Sequence, residues 1–344
     1  MGKRVTIADI ARAAGVSKGA VSYALNGQPG VSEATRERIL QIAAELGFTP
    51  SRGTRPPSGS GAVGLVLCRP PRILGVEPFF MELISGIEAA LSASSCDLTL
   101  HVVADHGAEL EVYERWATQR RVDGVFLVDV RVADERLDAV RRLELPAVAI
   151  AGPGDFGGIT SVWSDDAAAI TDAVEYLAAL GHRTIARVGG LPHLLHTVIR
   201  TEAFAAACRR LDVQHAVTVP SDYSGEEGGR ATRRLLSSTE RPTAIIYDND
   251  IMAVAGLGVA HEMDLSVPRD LSIVAWGDSL LCSAVHPPLT ALSRDVAAYG
   301  SVAAQHLLTV MAEGTVPSRQ HATAFLVPRG STARPSQVLA DTIR

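Results

Sequence analysis

The chain has 344 residues, 47% hydrophobic and 20% charged, with a net charge of −6. That length and apolar content suffice for packed cores in two or three domains, and no run of about 18 consecutive apolar residues is present, which argues against a membrane-spanning helix. Cys68, Cys96, Cys208 and Cys282 are widely spaced with no C-x-x-C pair, so they read as reduced core thiols, and no clustered Cys and His set points to a metal.

Residues 1–59 carry eight basic and four acidic side chains, a net charge of +4, which leaves −10 on the rest of the chain. A basic head on an acidic body suits a head that approaches phosphate. The first residues lead straight into a helical pattern with no apolar signal segment, so a cytoplasmic protein is expected. Thr6 and Asp9 are spaced as a capping box, and Ile7, Ile10, Ala11 and Ala14 follow at helical intervals. Gly15 ends that helix and Val16 plugs the turn. Ser17 caps a second helix, Lys18 to Leu25, with Ala20, Val21, Ala24 and Leu25 as its buried stripe. After Asn26-Gly27 and a loop with Pro29-Gly30, Ser32 caps a third helix whose inner face is Ile39, Ile42, Ala43 and Leu46.

Helix, four-residue turn, helix and a bracing helix spell a helix-turn-helix domain over residues 1–50. Such folds lay the second helix in the major groove of DNA, N-terminal end first. Ser17 and the helix N-terminus offer donors to phosphate. Lys18, Ser22 and Tyr23 point away from the apolar stripe, toward base edges or backbone, and Gly19 permits close approach. Residues 51–61 form a linker. There Pro56 and Pro57 oppose helix and Gly53, Gly59 and Gly61 weaken it further, while Arg52 and Arg55 can contact phosphate.

From Ala62 the rhythm changes to strand and helix in alternation. Strands are predicted at 62–67, 98–103, 124–128, 147–150, 184–188, 216–219, 243–247 and 271–275. Helices are predicted at 79–93, 108–120, 165–180, 200–211, 225–237 and 250–262. Short apolar strands alternating with helices mean doubly wound parallel sheets, and two such runs suggest two similar lobes with a ligand at the strand carboxyl ends.

The head segment VTIADIARAAGVSKGAVSYALN, Val5 to Asn26, then VSEATRERIL from Val31 and LGFTP from Leu46, resembles the opening of LacI/GalR-family repressors. The resemblance continues through Pro78 to Phe80, Val122 to Gly124, Ser161 to Asp166, Leu180 to Arg183, Arg200 to Phe204, Arg241 to Ile246, Asn249-Asp250, Val267 to Ser272, Pro287 to Thr290 and Val327 to Ser331. It implies an α/β chain: an all-α helix-turn-helix head on a two-lobed, periplasmic-binding-protein-like core of type I. The core would span 62–335, with lobe 1 at 62–162 and 291–322, lobe 2 at 163–290 and 323–335, and a tail at 336–344. The function implied is a repressor that binds an inverted-repeat operator as a homodimer and answers to a small-molecule effector, sugar-like, in the cleft.

By the same resemblance Lys18, Gly19, Ala20 and Tyr23 read bases, and Thr6, Ser17, Ser22 and Asn26 position phosphates. Arg200 clamps effector oxygens, Asn249 both donates and accepts, Tyr223 stacks on a sugar face, and Phe79 and Phe80 wall the first lobe. Three departures stand out. Pro57 replaces the leucine of the family's hinge helix, although an apolar proline can itself wedge into a minor groove. The Gly-Phe/Tyr-Asp-Asp turn is Ala275-Trp276-Gly277-Asp278, which keeps the aromatic and the second acid but loses the first. The acid expected near Ala151 is also absent, and Asp129 is the nearby substitute. No cofactor is implied.

Two other classes fit less well. An enzyme would need an assembled nucleophile, acid and base, and the chain has no G-x-G-x-x-G, G-x-S-x-G or H-E-x-x-H motif. A solute-binding protein of a transport system would share the core but not the fused basic head.

Overall fold

The computed structural model describes residues 7–25, 31–46, 60–69, 77–314 and 316–336. The chain divides into two compact units, residues 1–59 and 60–344. In the first, α1 (Ile7–Ala14), α2 (Lys18–Leu25) and α3 (Glu33–Glu45) enclose a small core of Ile10, Ala11, Ala14, Val21, Ala24, Ile39 and Ala43. Gly15 takes φ +68°, which lets Val16 N–H return to the Ala11 carbonyl and close the turn. The Ser17 hydroxyl accepts from Ala20 N–H at 3.1 Å, and Ser32 from Thr35 N–H at 3.3 Å, so both serines cap their helices. Leu46, expected inside, is 40% exposed because α3 ends one residue earlier and the side chain lies past its packed face. Thr6 of the expected capping box lies outside the described residues.

The second unit holds two six-stranded sheets. The first has the order β11-β5-β4-β3-β1-β2, built from β1 (Ala62–Cys68), β2 (Asp97–Val103), β3 (Gly124–Leu127), β4 (Ala147–Ala151), β5 (Thr160–Trp163) and β11 (Arg319–Gln320). The second has the order β12-β10-β9-β8-β6-β7, from β6 (Thr184–Gly189), β7 (His215–Pro220), β8 (Ala244–Tyr247), β9 (Ser272–Trp276), β10 (Thr290–Ser293) and β12 (Phe325–Val327). Their central strands are buried on both faces, which is why they read as unbroken apolar runs. Pairing is parallel except between β12 and β10, which are antiparallel, so the second sheet is mixed rather than purely parallel.

Helices α4 (Pro78–Ala93), α5 (His106–Thr118), α6 (Glu135–Arg142) and α12 (Val296–Glu313) pack on the first sheet. Helices α7 (Asp166–Leu180), α8 (Leu195–Arg210), α9 (Gly225–Leu236) and α10 (Asp250–Glu262), with the short α11 (Leu280–Ala284), accompany the second. The chain passes between the sheets after β5, after β10 and after β11. The second passage follows Ser293, so the strand Thr290–Ser293 belongs to the second sheet and not, as a boundary at 290 would have it, largely to the first lobe.

Periodicity missed α6, β5, β10, α11, α12 and the two closing strands, and it started α8 at Arg200 when the helix begins at Leu195. These segments owe their form to what they pack on. The clearest case is α12 against α4. A Cβ on Gly86 would lie 1.8 Å from the Ala297 carbonyl oxygen, and one on Gly300 2.3 Å from that of Leu83. The two backbones therefore meet at paired glycines. Gly86→Ala should lower stability by about 1–3 kcal/mol, because the clash is with backbone and outweighs the better helix propensity of alanine. Thermal denaturation checks this, and an unchanged melting temperature would contradict the close approach.

Candidate functional site

Two surfaces carry chemistry, one on each unit. On the head, α2 begins with Ser17, Lys18 and Gly19 all exposed, and the helix contains no acidic residue. Its N-terminal N–H groups and the Lys18 ammonium thus present positive charge at one point, which suits an anion. Ala20 is half-buried at the edge of the head core. Ser22 and Tyr23 fall within α2, but their side chains are not described. Thr6, Asn26, Arg52 and Arg55 lie outside the described residues.

In the second unit a cavity of about 150 Å³ opens between the carboxyl ends of the two sheets. Phe79, Phe80, Asp129, Arg200, Tyr223, Asn249, Trp276 and Asp278 all line it. The structure brings these eight together from six segments, at strand ends, at helix starts and within α8, and most of their polar atoms are already engaged. Arg200 donates through Nε and Nη2 to Asp166 Oδ2, at 2.8 and 2.6 Å, and stacks 3.6 Å over the Trp276 ring. Asn249 caps α10, its Oδ1 accepting from Met252 N–H at 2.8 Å, while its Nδ2 donates to the Tyr223 carbonyl at 2.9 Å. The Tyr223 hydroxyl lies 2.7 Å from His196 Nε2 and 3.0 Å from Thr197 Oγ1. Asp278 pairs with Arg329 at 2.7 Å, and Asp129 with Arg69 at 2.7 Å. Phe80 is a core residue with one edge on the cavity, packed T-shaped against Phe79.

Sequence reasoning missed Arg69, Glu77, Asp166, His196, Asp248, Asp250, Arg294 and Tyr299, which also line the cavity. Arg69, Asp248 and Arg294 each follow directly on a buried strand, and a polar residue at a strand's carboxyl end is the signal that could have found them. Glu77 and Tyr299 carry no such local mark. Three guanidinium groups lie over aromatic rings: Arg69 over Phe80 and Tyr223, Arg200 over Trp276, and Arg294 over Phe79 and Tyr299. Behind them Arg187 and Asp248, both fully buried, form a bidentate pair, with Gly190 N–H adding a third contact to Asp248 at 3.1 Å.

Seven carboxylates and three guanidinium groups line the cavity. Among the described residues Glu82 and Asp250 have no ion-pair partner, and burial raises the pKa of both. His196 is driven well below its usual pKa, first by burial and then by Arg200 and Arg69, so it is neutral. The cavity is therefore rich in acceptors and poor in free cations, a setting for hydroxyl donors and an unfavourable one for a second anion. Gly277 has φ +90° and open space where a Cβ would be, so the acid missing from this turn is disfavoured by backbone strain and not by crowding.

Glu77 is the most perturbed of these acids. Burial pushes its carboxyl up to about 7, despite Arg69 nearby. The folded form therefore binds a proton that the unfolded chain has already lost, and the associated stability is present at low pH and lost as pH rises from about 4.5 through 7. Glu77→Gln should remove that loss. Its melting temperature should match the parent's below about pH 5 and exceed it above about pH 7. Parallel curves for the two proteins would contradict the assignment.

Comparison with known proteins follows the same division. Residues 6–51 match the family described as "Bacterial regulatory proteins, lacI family", and residues 174–332 match "Periplasmic binding protein-like domain". Catabolite control protein A of Priestia megaterium is 30% identical over 91% of this chain and 95% of its own length. The lac repressor dimer, solved bound to operator and the anti-inducer ONPF, is 25% identical with a TM-score of 0.78, covering 96% of this chain and all of that one. The regulator CelR, solved as a cellobiose complex, is 26% identical with a TM-score of 0.74 over 95% of this chain and all of that one.

Proposed function

Since the chain belongs to the lacI family of bacterial transcriptional regulators, with a DNA-binding helix-turn-helix head and an effector-binding core, we propose that it represses transcription in the cytoplasm as a homodimer on an inverted-repeat operator, and that a neutral, polyhydroxylated effector in the cleft controls it. The observation that carries the effector reading is the cavity itself. Arg200, locked on Asp166 and stacked on Trp276, presents a rigid donor face opposite an excess of carboxylate acceptors, the complement of a sugar's hydroxyls. The effector acts without chemical change, through different affinity for two arrangements of the lobes. The relatives support this reading, one solved with operator and one with a disaccharide.

The DNA reading rests on the N-terminal end of α2. Lys18, Gly19, Ala20 and Tyr23 face bases, while Thr6, Ser17, Ser22, Asn26, Arg52 and Arg55 hold phosphates. The bilateral symmetry of a dimer would place two heads on successive turns of the major groove. Lys18→Ala should weaken operator binding by roughly 5–150-fold and broaden base preference at one position per half-site, as loss of a direct base contact does. Selection of binding sites from random duplexes, followed by titration at fixed salt, tests both halves of the proposal. An unaltered preference in Lys18→Ala would remove α2 from the groove, and failure of the parent to select any sequence would overturn the function.

A further inference from the structure

A second cavity, of about 330 Å³, lies beside the first in the same unit. It opens at the carboxyl ends of β1, β2 and β3, where the first sheet's strand order reverses and where such sheets bind ligands. The Arg69–Asp129 ion pair, at 2.7 Å, walls it off from the first cavity, so what it holds is a ligand of its own. Its volume alone lies within the roughly 300–1,000 Å³ of ordinary ligand pockets. The roof comes from the other lobe, through Leu191, His193 and Leu194. There two backbone hydrogen bonds join the lobes, Val132 N–H to the His193 carbonyl at 3.0 Å and Leu195 N–H to the Val130 carbonyl at 2.8 Å. A ligand in this chamber therefore touches both lobes.

The charges of the lining are engaged unequally. Arg136 is held by Glu109 and Asp134, both at 2.6 Å, and Arg69 by Asp129. Arg131 has no carboxylate partner among the described residues: its guanidinium reaches the Cys68 thiol, and its Nε is buried with no hydrogen-bond partner. On the acidic side, Asp105 uses Oδ1 to accept from Ala108 N–H at 2.9 Å, and Asp129 uses Oδ2 to pair with Arg69. The second oxygen of each has no partner among the described residues. One cation thus lacks a counter-ion while two carboxylates keep an open acceptor. A lone anion would pair with Arg131 but meet the charges of Asp105 and Asp129, and a lone cation would meet three guanidinium groups. A molecule that carries both charges pairs with each. Burial, then Arg131 and Arg69, lower the pKa of His193, so the imidazole of the roof is neutral and competes for neither charge. Val66, Ala104, Val128, Leu191 and Leu194 supply apolar surface, and among the described residues no Phe, Tyr or Trp lines the chamber. That surface suits an aliphatic group and offers no ring to stack on.

We propose that this chamber is a second regulatory site, for a free aliphatic α-amino acid, with its carboxylate on Arg131, its ammonium toward the open oxygens of Asp105 and Asp129, and its side chain against Leu191 and Leu194 of the opposite lobe. Because such a ligand bridges the lobes, it favours the arrangement in which they are joined, and operator affinity then answers to two metabolites of different class. The site is separate from the cleft, so its failure leaves the proposed effector untouched. Calorimetric titration of the full-length protein with L-alanine, L-valine, L-leucine and L-isoleucine should find at least one that binds. The N-acetyl and carboxamide derivatives of that amino acid, each lacking one charge, should bind at least about tenfold more weakly. Both are read on the parent protein, so this result does not depend on how any variant folds. Arg131→Ala should also weaken binding at least about tenfold. Asp105→Asn, which keeps the cap on α5, should weaken it roughly twofold to fivefold. His193→Trp, which fills the chamber from an exposed position, should abolish it. Derivatives that bind as tightly as the amino acid would overturn the two-charge reading. Affinity that survives in both Arg131→Ala and His193→Trp would put the ligand outside the chamber, and no binding by any of the four amino acids would overturn the site.

Discussion

Replacing Asp248 with alanine should destabilise the second unit by about 3–5 kcal/mol, read as a shift of the urea unfolding midpoint. Asp248 accepts from Arg187 Nε at 2.8 Å and Nη2 at 2.5 Å, and from Gly190 N–H at 3.1 Å, with both side chains at 0% exposure. Arg187 has one other partner, Thr201, through Nη1. Without the carboxylate a guanidinium would be held in the interior with its main partner gone. Arg200, whose Nη1 lies 3.8 Å from Asp248, would also lose a neighbouring charge, so the damage should reach the cleft. The double variant Arg187→Met with Asp248→Leu should recover most of the loss, because removing both charges leaves no unpaired ion to desolvate. A loss below about 1 kcal/mol in the single variant would mean that the pair is not desolvated as drawn.

Arg200→Ala should uncouple the repressor from its effector while operator binding persists. The guanidinium combines a two-nitrogen hold on one carboxylate oxygen of Asp166 with a close stack over the Trp276 ring. Charge-assisted hydrogen bonds of this kind contribute about 1.5–3 kcal/mol, so effector affinity should fall by roughly 10–150-fold. Arg200→Lys keeps the charge but neither the planar fork nor the stack, and should restore only a minor part. The measurement is operator release against effector concentration. An induction curve that superimposes on the parent's would remove Arg200 from the site, and loss of operator binding in the absence of effector would mark its role as structural.

Much of the architecture is legible along the chain because its signals are local. The head follows from caps and apolar spacing within about a dozen residues of each other: Gly15 at positive φ and Ser17 and Ser32 at helix starts stand where their chemistry predicts. The parallel strands are equally plain, since burial on both faces leaves no polar alternation to confuse. Where local signals fade, so does the reading. Helix α12 was invisible, although it packs on α4 through Gly86 and Gly300, because a small residue in a helix announces nothing about the backbone that approaches it. The resemblance puts the second passage at 290, and Thr290 to Ser293 is too short a run to declare its sheet.

The cleft divides along the same line. A family pattern points to Arg200, Tyr223, Asn249 and Trp276 along the chain, and only the structure shows the partners they already have, with Asn249 holding α10 and the Tyr223 loop and Asp278 tied to Arg329. By itself the sequence determined the helix-turn-helix head, the alternating strand and helix core, and the general position of a binding cleft, since each depends on residues adjacent in the chain. Only the tertiary structure decided which charges meet. Arg187 and Asp248 are 61 residues apart, Arg200 and Asp166 are 34 apart, and Arg69 finds Asp129 beyond the ends of the neighbouring strands β1 and β3. A buried ion is stable only beside its counter-ion, and that partner is chosen by distance in space, which the order of residues does not contain.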